Sequence, residues 1–255
     1  MFLDAIVSSV DERVERLVPV SRYLRDRAEQ MPPVRSLAQA LNAPGAVAVI
    51  AECKQKSPSK GWLTQEYDPV LQAKTYQKNG ARAISVLTEP HYFAGELAHL
   101  EAVRPVVDVP VLRKDFVRHP VQLFEARAHG ADAALLIVRI VDDAQLLDLY
   151  QTAREIGLGV LVEIHSAREA DRAMRLDPAV VGVNNRDLDT FETRLEFSRE
   201  MASAVGGRVR VSESGIASAA DLAAVKSWGY QAVLVGESLM RDSRLLGEWT
   251  HGNAH

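Results

Sequence analysis

The stretch DAALLIVRIVDDAQLLDLYQTAREIGLGVLVEI (132–164) contains a strand, a helix and a second strand in succession. Its ends, 132–139 and 158–164, are short apolar runs of the kind that form parallel strands buried on both faces. The segment between them, 143–157, carries apolar residues at spacings of three and four. It opens with Asp and closes on Gly, which are helix start and stop signals. This unit predicts an α/β protein in which strands and helices alternate.

The same unit recurs along the rest of the chain. Six further apolar runs predict strands, at 46–52, 82–89, 109–115, 179–186, 208–214 and 231–238. Helix-patterned segments lie between them, at 68–80, 95–105, 120–130, 166–176, 195–207 and 218–229. Eight alternating strands in a chain of 255 residues leave a closed (β/α)8 TIM barrel or an open doubly wound sheet. Because no glycine-rich phosphate loop follows the first strand, the pattern favours the barrel.

Residues 1–45 precede the first predicted strand and contain two helix-like stretches, at 4–18 and 33–42. The chain shows no linker, low-complexity tract or composition shift that would mark a second domain. We therefore expect 1–255 to be a single (β/α)8-barrel domain, with 1–45 as an N-terminal helical extension packed on the barrel.

Charge and cysteine content argue against several classes of protein. The net charge of −4 and the lack of a basic run predict no nucleic-acid partner. The one cysteine, Cys53, excludes an internal disulfide and a cysteine-rich zinc site. No apolar run reaches the roughly 18–20 residues of a membrane span, and the acidic start does not resemble a secretory signal. We expect a cytoplasmic protein with no membrane partner and no metal.

Charged and amide side chains stand at the carboxyl ends of the predicted strands, which meet at one face of a barrel and build its active site. These ends carry Glu52, Lys54, Lys114, Glu163, Asn184, Arg186, Glu213 and Ser214. Side chains alternate along a strand, so Glu52 and Lys54 point to one side and Cys53 to the other. Charges that face a barrel mouth need one another as partners. Lysines close to glutamates also suit acid–base chemistry.

Two glycine-containing turns, SESGI (212–216) and VGESL (235–239), follow the last two strands. Barrels commonly bind phosphate there through backbone N–H groups. Gly215 and Gly236 would let the backbone approach the phosphate oxygens closely. The turns predict a phosphorylated small-molecule substrate. Since Glu237 would oppose an anion, we expect its backbone N–H, and not its carboxylate, to face the phosphate.

Eight phrases, in order from about residue 46 to 241, closely resemble indole-3-glycerol-phosphate synthase. They are IAECKQKSPSKG (50–61), VLTEPHYFAG (86–95), VLRKDF (111–116), LLIV (135–138), VEIH (162–165), VNNRDL (183–188), SESGI (212–216) and VGESLMR (235–241). The extension is also similar to the extra N-terminal helices of that family. The resemblance implies a carboxy-lyase of tryptophan biosynthesis that uses no cofactor. Its substrate would be 1-(2-carboxyphenylamino)-1-deoxyribulose 5-phosphate, and its products indole-3-glycerol phosphate, carbon dioxide and water.

The resemblance also implies roles for five residues in catalysis. Lys114 matches the family's general acid, which protonates the ketone oxygen, and Glu163 its second acid–base residue. Lys54 matches a lysine that contacts the substrate and serves as acid in a later step, although the division of the steps between the two lysines stays open. Glu52 and Asn184 match residues that orient the substrate and the lysines.

The positions implied to bind substrate are Ser57, Phe93, Phe116, Arg186, Glu213, Ser214, Gly215, Gly236 and Glu237. Phe93 and Phe116 would sandwich the aromatic ring, and Ser57, Arg186 and Ser214 would bind anionic groups. Other members of the family carry Ser at the position of Glu237. The polar loop QKSPSKGW (55–62) is interpreted as a lid that closes over the substrate.

Two other functions remain as alternatives. Phosphoribosylanthranilate isomerase, another sugar-phosphate barrel, would use a Cys or Asp base on the first strand. Cys53 lies there, but its parity turns it away from Glu52 and Lys54. A non-catalytic barrel that only binds a phosphorylated ligand would not require Lys54, Lys114 and Glu163 on different strands. Apart from the small-molecule substrate, we expect a monomer or a weak homo-oligomer.

Overall fold

The computed structural model describes residues 2–42, 45–64, 66–206 and 209–251. Eight parallel strands follow one another around a closed barrel in chain order, and the first strand pairs with both the second and the eighth. They are β1 Ala48–Cys53, β2 Ala83–Leu87, β3 Val111–Lys114, β4 Ala133–Ile137, β5 Gly159–Ile164, β6 Val180–Asn184, β7 Val209–Glu213 and β8 Ala232–Val235. The predicted (β/α)8 TIM barrel is confirmed.

The helices of the described residues alternate with these strands. In chain order they are α1 Phe2–Leu17, α2 Ser21–Gln30, α3 Leu37–Leu41, α4 Pro69–Lys78, α5 Pro90–Phe93, α6 Leu97–Val103, α7 Pro120–Ala128, α8 Asp143–Glu155, α9 Ala167–Met174, α10 Glu196–Met201, α11 Ala219–Ser227, α12 Glu237–Arg241 and α13 Arg244–His251. None of them is long and apolar enough to cross a membrane.

The helix start signals act as expected. Asp68 accepts hydrogen bonds from the backbone N–H groups of Val70 and Leu71, both at 2.9 Å, and Pro69 begins α4 directly behind it. Asp142 is the N-cap of α8 and Ser218 is the N-cap of α11, and each forms a capping box. These caps satisfy backbone donors that the first helical turn leaves free.

The strands are shorter than the predicted runs because the barrel ends each strand where its loop turns away. The run 132–139, for example, leaves the sheet at Ile137, and Val138–Ile140 form a 3-10 turn. Apart from Lys114, Gly159 and Arg210, every residue of the eight strands is buried. Parallel strands covered by helices outside and packed side chains inside are expected to be this apolar.

The N-terminal extension has three helices instead of the two predicted. Helix α2 was missed because it is mostly polar and charged: only Leu24 and Ala28 of its ten residues are buried, too few to form an apolar run. Both side chains pack against Val121 and Ala128 of α7. The stretch 33–42 forms a helix only over Leu37–Leu41. Residues 1, 43 and 44 of the extension lie outside the described part of the chain.

Candidate active site

A cavity of about 470 Å³ lies where the strands end and their loops begin. Of the predicted site residues, those that line it are Glu52, Lys54, Phe93, Lys114, Phe116, Glu163, Asn184, Arg186, Ser214, Gly215, Gly236 and Glu237. The structure therefore brings together side chains from strands and loops that are far apart in the sequence. Closure of the barrel explains this, because all parallel strands end at the same face.

Two predicted residues do not line the cavity. Ser57 lies in a short antiparallel hairpin, Lys56–Ser57 with Gly61–Trp62, where its Oγ accepts a hydrogen bond from the backbone N–H of Lys60 at 3.3 Å. Its neighbours Pro58 and Ser59 line the cavity in its place. Glu213 is fully buried behind the cavity wall, with Oε2 3.5 Å from Nζ of Lys114.

A network of opposite charges occupies the floor of the cavity. Glu52 bridges two lysines, with Oε1 2.7 Å from Nζ of Lys54 and Oε2 3.4 Å from Nζ of Lys114. Lys114 thus lies between Glu52 and Glu213. These are the partners that buried charges require, because an unpaired ion would be destabilising in this position.

The network keeps the buried Glu52 and the partly buried Lys114 ionised. Burial by itself would raise the pKa of Glu52, but the charges of Lys54 and Lys114 more than offset it and lower this pKa to about 2. Burial by itself would lower the pKa of Lys114, but Glu52, then Glu213 and Glu163, raise it well above its ordinary value. At neutral pH, Lys114 is therefore an ammonium that can donate a proton.

The carboxyl group of Glu213, unlike that of Glu52, has a raised pKa. Burial, and then the charge of Glu163, hold the pKa of Glu213 well above its usual range, and the attraction of Lys114 offsets only part of this. Glu213 therefore favours its neutral, protonated form next to Lys114.

Two glycines make room for these carboxylates. A Cβ on Gly236 would overlap Oε1 of Glu52 and come within 3.0 Å of Nζ of Lys54. A Cβ on Gly182 in β6 would overlap Oε1 of Glu213. The φ of Gly236 is −122°, which any residue can adopt. A side chain is therefore excluded there by Glu52 and Lys54 and not by the backbone conformation.

The opposite end of the cavity is formed by the loops after β6, β7 and β8. Oδ1 of Asn184 accepts hydrogen bonds from the backbone N–H of Arg186 at 3.0 Å and from Oγ of Ser214 at 2.9 Å. Ser214 and Gly215 both have positive φ, 66° and 86°, which turns the chain sharply at the end of β7. Asn184 therefore ties the two loops that carry the predicted anion-binding residues.

Phe93 and Phe116 form an apolar wall. Their ring centroids are 6.2 Å apart and their planes are tilted by 39°. This separation is that of a direct aromatic pair. In this structure the two rings contact each other, so the sandwich of the substrate's ring between them stays a prediction that requires the rings to separate.

Cys53 does not line the cavity and is fully buried. Burial, and then the charge of Glu52, raise the pKa of its thiol well above the ordinary value. The parity argument is confirmed, and the base that the isomerase alternative needs on β1 is missing from the cavity. Among the described residues, no group of three or more His, Cys, Asp or Glu side chains could hold a metal ion.

Comparison with known proteins agrees with this geometry. The family model described as Indole-3-glycerol phosphate synthase matches residues 3–247, which is nearly the whole chain. This chain belongs to the indole-3-glycerol phosphate synthase family. As a member of that family it is an enzyme of tryptophan biosynthesis, a lyase that closes a ring with decarboxylation.

Relatives named indole-3-glycerol phosphate synthase cover the chain almost completely. The protein of Roseiflexus castenholzii is 47% identical over 234 residues, 88% of this chain and 87% of the relative. That of Mycolicibacterium smegmatis is 46% identical over 241 residues, 93% and 88% of the two chains. That of Carboxydothermus hydrogenoformans is 44% identical over 251 residues, 94% and 95% of the two chains.

The cavity of this member of the indole-3-glycerol phosphate synthase family also has walls that the sequence did not indicate. They include Leu3 and Ile6 of α1, and Leu188, Phe191 and Arg241 of the later loops. No local signal marks Leu3 and Ile6, since an apolar residue on an amphipathic helix is ordinarily core.

His165 is a further neighbour of the acid–base residues that sequence reasoning passed over. Its Nε2 lies 3.2 Å from Oε1 of Glu163, and its Nδ1 lies 3.6 Å from Oε2 of Glu169. The signal was present, because His165 ends the VEIH phrase and shares strand parity with Glu163.

The loop interpreted as a lid lies against the loop after β2. Gln55 donates a hydrogen bond from Nε2 to the carbonyl oxygen of Ala94 at 2.6 Å, and Lys56 donates from Nζ to that of His91 at 3.2 Å. The side chain of Lys60 lines the cavity. In this indole-3-glycerol phosphate synthase family member the loop thus contributes one wall of the site.

Proposed function

We propose that this enzyme converts 1-(2-carboxyphenylamino)-1-deoxyribulose 5-phosphate to indole-3-glycerol phosphate, carbon dioxide and water in the cavity at the barrel mouth. The observation that carries the proposal is the buried network in which Glu52 bridges Lys54 and Lys114. It places two lysines and the carboxyl groups of Glu52 and Glu163 in one cavity beside an apolar wall, with Glu213 buried next to Lys114.

Ring closure requires that the ketone carbon become electrophilic. Lys114, held as an ammonium by Glu52 and Glu213, donates a proton to the ketone oxygen while the aromatic carbon that bears the carboxylate attacks. Loss of carbon dioxide then restores the aromatic ring. Phe93 and Phe116 supply the apolar surface against which the substrate folds into its ring-closing shape.

Dehydration completes the indole ring. The new hydroxyl leaves as water and needs a second proton, while a base removes one proton from the neighbouring CH2 carbon. Lys54 supplies the acid and Glu163 the base, and Glu52 and Asn184 orient the lysines and the substrate. Two protons enter and one returns, so each turnover consumes one proton, which matches the departure of a carboxylate as neutral carbon dioxide.

The other end of the substrate carries the phosphate. Arg186 and Ser214, with the backbone turns at Gly215 and Gly236, bind it at the far side of the cavity. Guanidinium and backbone N–H groups are the donors that phosphate recognition uses most often. We also propose that the chain works in the cytoplasm, as a monomer or weak homo-oligomer and without a cofactor.

The first experiment follows indole fluorescence in a buffer with a chelator and no cofactor. We expect turnover in the wild type and a loss of kcat of roughly 10²-fold or more in Lys114→Ala, the scale of a lost general acid. Lys74→Ala, which removes an exposed lysine of α4, is the matched control and should keep full activity. A folded wild type without turnover would refute the proposal, and phosphoribosylanthranilate would be the next substrate to test.

A further inference from the structure

Glu237 forms ion pairs with two arginines at the phosphate end of the cavity. Its Oε2 lies 3.4 Å from Nη2 of Arg186, and its Oε1 accepts a hydrogen bond from Nη2 of Arg241 at 2.6 Å. All three side chains line the cavity. The carboxylate of Glu237 is therefore already paired with the guanidinium group of Arg186, to which the proposed function assigns the substrate's phosphate.

The three groups differ in how firmly they are held. The guanidinium of Arg186 also donates from Nε to Oγ1 of Thr193 at 3.3 Å, and Arg186 and Thr193 pair as an isolated β-bridge. Arg186 is thus positioned without help from Glu237. Arg241 is one helical turn from Glu237 in α12, and its side chain is 71% exposed. Glu237 can therefore give up Arg186 and keep Arg241.

An incoming phosphate has the same sign of charge as Glu237 and needs the same guanidinium. The two anions cannot share Arg186 without repulsion. We propose that Glu237 is a resident counter-ion of the phosphate site, which the substrate's phosphate displaces from Arg186 onto Arg241. This inference rests on the proposed function, because it takes the phosphate to bind at Arg186.

The consequence is weaker binding at the phosphate site. A small anion gains only the contacts of the phosphate site, and these must first replace the pair between Glu237 and Arg186. The full substrate gains further contacts along the cavity, which offset that loss. Displacing Glu237 costs every phosphate-bearing ligand the same free energy, so it lowers the affinity for inorganic phosphate, substrate and phosphorylated product by the same factor. Inorganic phosphate has no further contacts and is therefore left the most weakly bound of the three.

The test measures the Kd of inorganic phosphate by calorimetry, and its Ki against substrate, in matched variants. Glu237→Gln should bind phosphate roughly three- to fivefold more tightly, the upper range for a partly exposed ion pair. Glu248→Gln removes the same charge from an exposed position of α13 and should leave the Kd unchanged. Glu237→Ser also removes the carboxylate and should likewise bind phosphate more tightly. Circular dichroism checks that each variant is folded.

Arg241 is tested by a double-mutant cycle. Arg241→Gln should weaken phosphate binding in the wild-type background, because Glu237 then stays on Arg186. The same substitution should have no effect in the Glu237→Gln background. An effect of Arg241→Gln that persists there would mean that Arg241 binds phosphate itself, which contradicts the displacement.

Unchanged or weaker phosphate binding in both Glu237 variants would overturn the inference, as would a wild type that binds no phosphate. Failure of the proposed reaction is separate, because it appears as absent turnover while calorimetry still reports phosphate binding and the effect of Glu237.

Discussion

At the scale of single residues, the site holds carboxyl groups with opposite preferred protonation states close to one another. Glu52 stays ionised because two lysines contact it, while Glu213, equally buried, favours its protonated form beside Glu163. The difference comes from neighbours and not from burial, since both carboxyl groups are almost fully removed from water. Such divergence of pKa values is typical of acid–base catalysis.

Glu213 should make stability depend on pH. Its pKa in the folded protein is raised above the ordinary value of 4.5, so its contribution to stability is complete below that pH and is lost as pH rises toward the folded pKa. Glu213→Gln cannot ionise and does not suffer this loss. The Tm of Glu213→Gln relative to wild type should therefore be higher at pH 8 than at pH 5, and Glu248→Gln serves as control. A difference that stays constant or falls with pH would contradict this assignment.

Gly236→Ala should damage the site without unfolding the barrel. The added methyl overlaps the carboxylate of Glu52 and displaces Lys54, and misplacement of a catalytic group by about 1 Å can cost 10²-fold in rate. Gly247→Ala in α13 meets nothing closer than 4.0 Å and should keep kcat while gaining up to about 1 kcal/mol of stability. Steady-state kinetics of both variants measure kcat, and thermal unfolding measures their stability. Full activity of Gly236→Ala would show that the pair of Glu52 and Lys54 can shift without consequence.

At the scale of elements, helix α1 is tied to both sides of the loop that follows β3. Nη2 of Arg13 lies 2.6 Å from Oδ1 of Asp115, and Nε of Arg118 lies 2.7 Å from Oδ1 of Asp11. Asp115 in turn accepts the backbone N–H of Phe116 at 2.8 Å and stands next to Lys114. The extension therefore helps to fix the loop that carries the general acid and half of the apolar wall.

Arg13→Gln should lower both stability and kcat. Burial opposes ionisation of Asp115, but Arg113 and then Arg13 lower its pKa to about 2, so the carboxylate depends on its cations. With Arg113 and Thr88 still in place, we expect a loss of about 1–3 kcal/mol in the free energy of unfolding. A several-fold drop in kcat should accompany it.

The matched control is Arg16→Gln, on an exposed position of the same helix, which should change neither quantity. Urea unfolding and steady-state kinetics measure both. A stability loss with unchanged kcat in Arg13→Gln would restrict the role of α1 to folding.

At the scale of the whole molecule, the extension and the barrel share their apolar cores. Ile6, Val10, Leu37 and Leu41 belong to the same buried cluster as the strands. Leu24 packs with α7 in a second cluster. Burial of this kind predicts that the chain unfolds as one domain, because neither part covers its apolar surface alone.

Tryptophan fluorescence can test this expectation, because Trp62, Trp228 and Trp249 all lie outside the extension. Leu24→Ala should lower the free energy of unfolding reported by these residues by about 2–5 kcal/mol, the usual cost of a buried Leu truncation. Leu147→Ala, at a position of α8 that is 46% exposed, should change it by less than about 0.5 kcal/mol. An unshifted fluorescence transition in Leu24→Ala would mean that the extension unfolds as a separate unit.

The alternation of strands and helices, the barrel and the side chains at its mouth could all be predicted from the amino-acid sequence. Apolar periodicity and strand parity are local properties, so they can be read from neighbours in the chain; the opposed orientation of Glu52 and Cys53 is one example. Helix α2 was not predicted because most of its residues are polar or charged and only two are buried.

Which side chains contact one another could not be predicted from the sequence, because it depends on the folded arrangement of distant segments. The contact of Arg13 with Asp115 spans 102 residues and that of Arg186 with Glu237 spans 51. The need for glycine at position 236 comes from a carboxylate on β1, and the tilt of Phe93 against Phe116 from two different loops. Distances between side chains across a barrel are set by its closure and by packing, which no local pattern in the chain encodes.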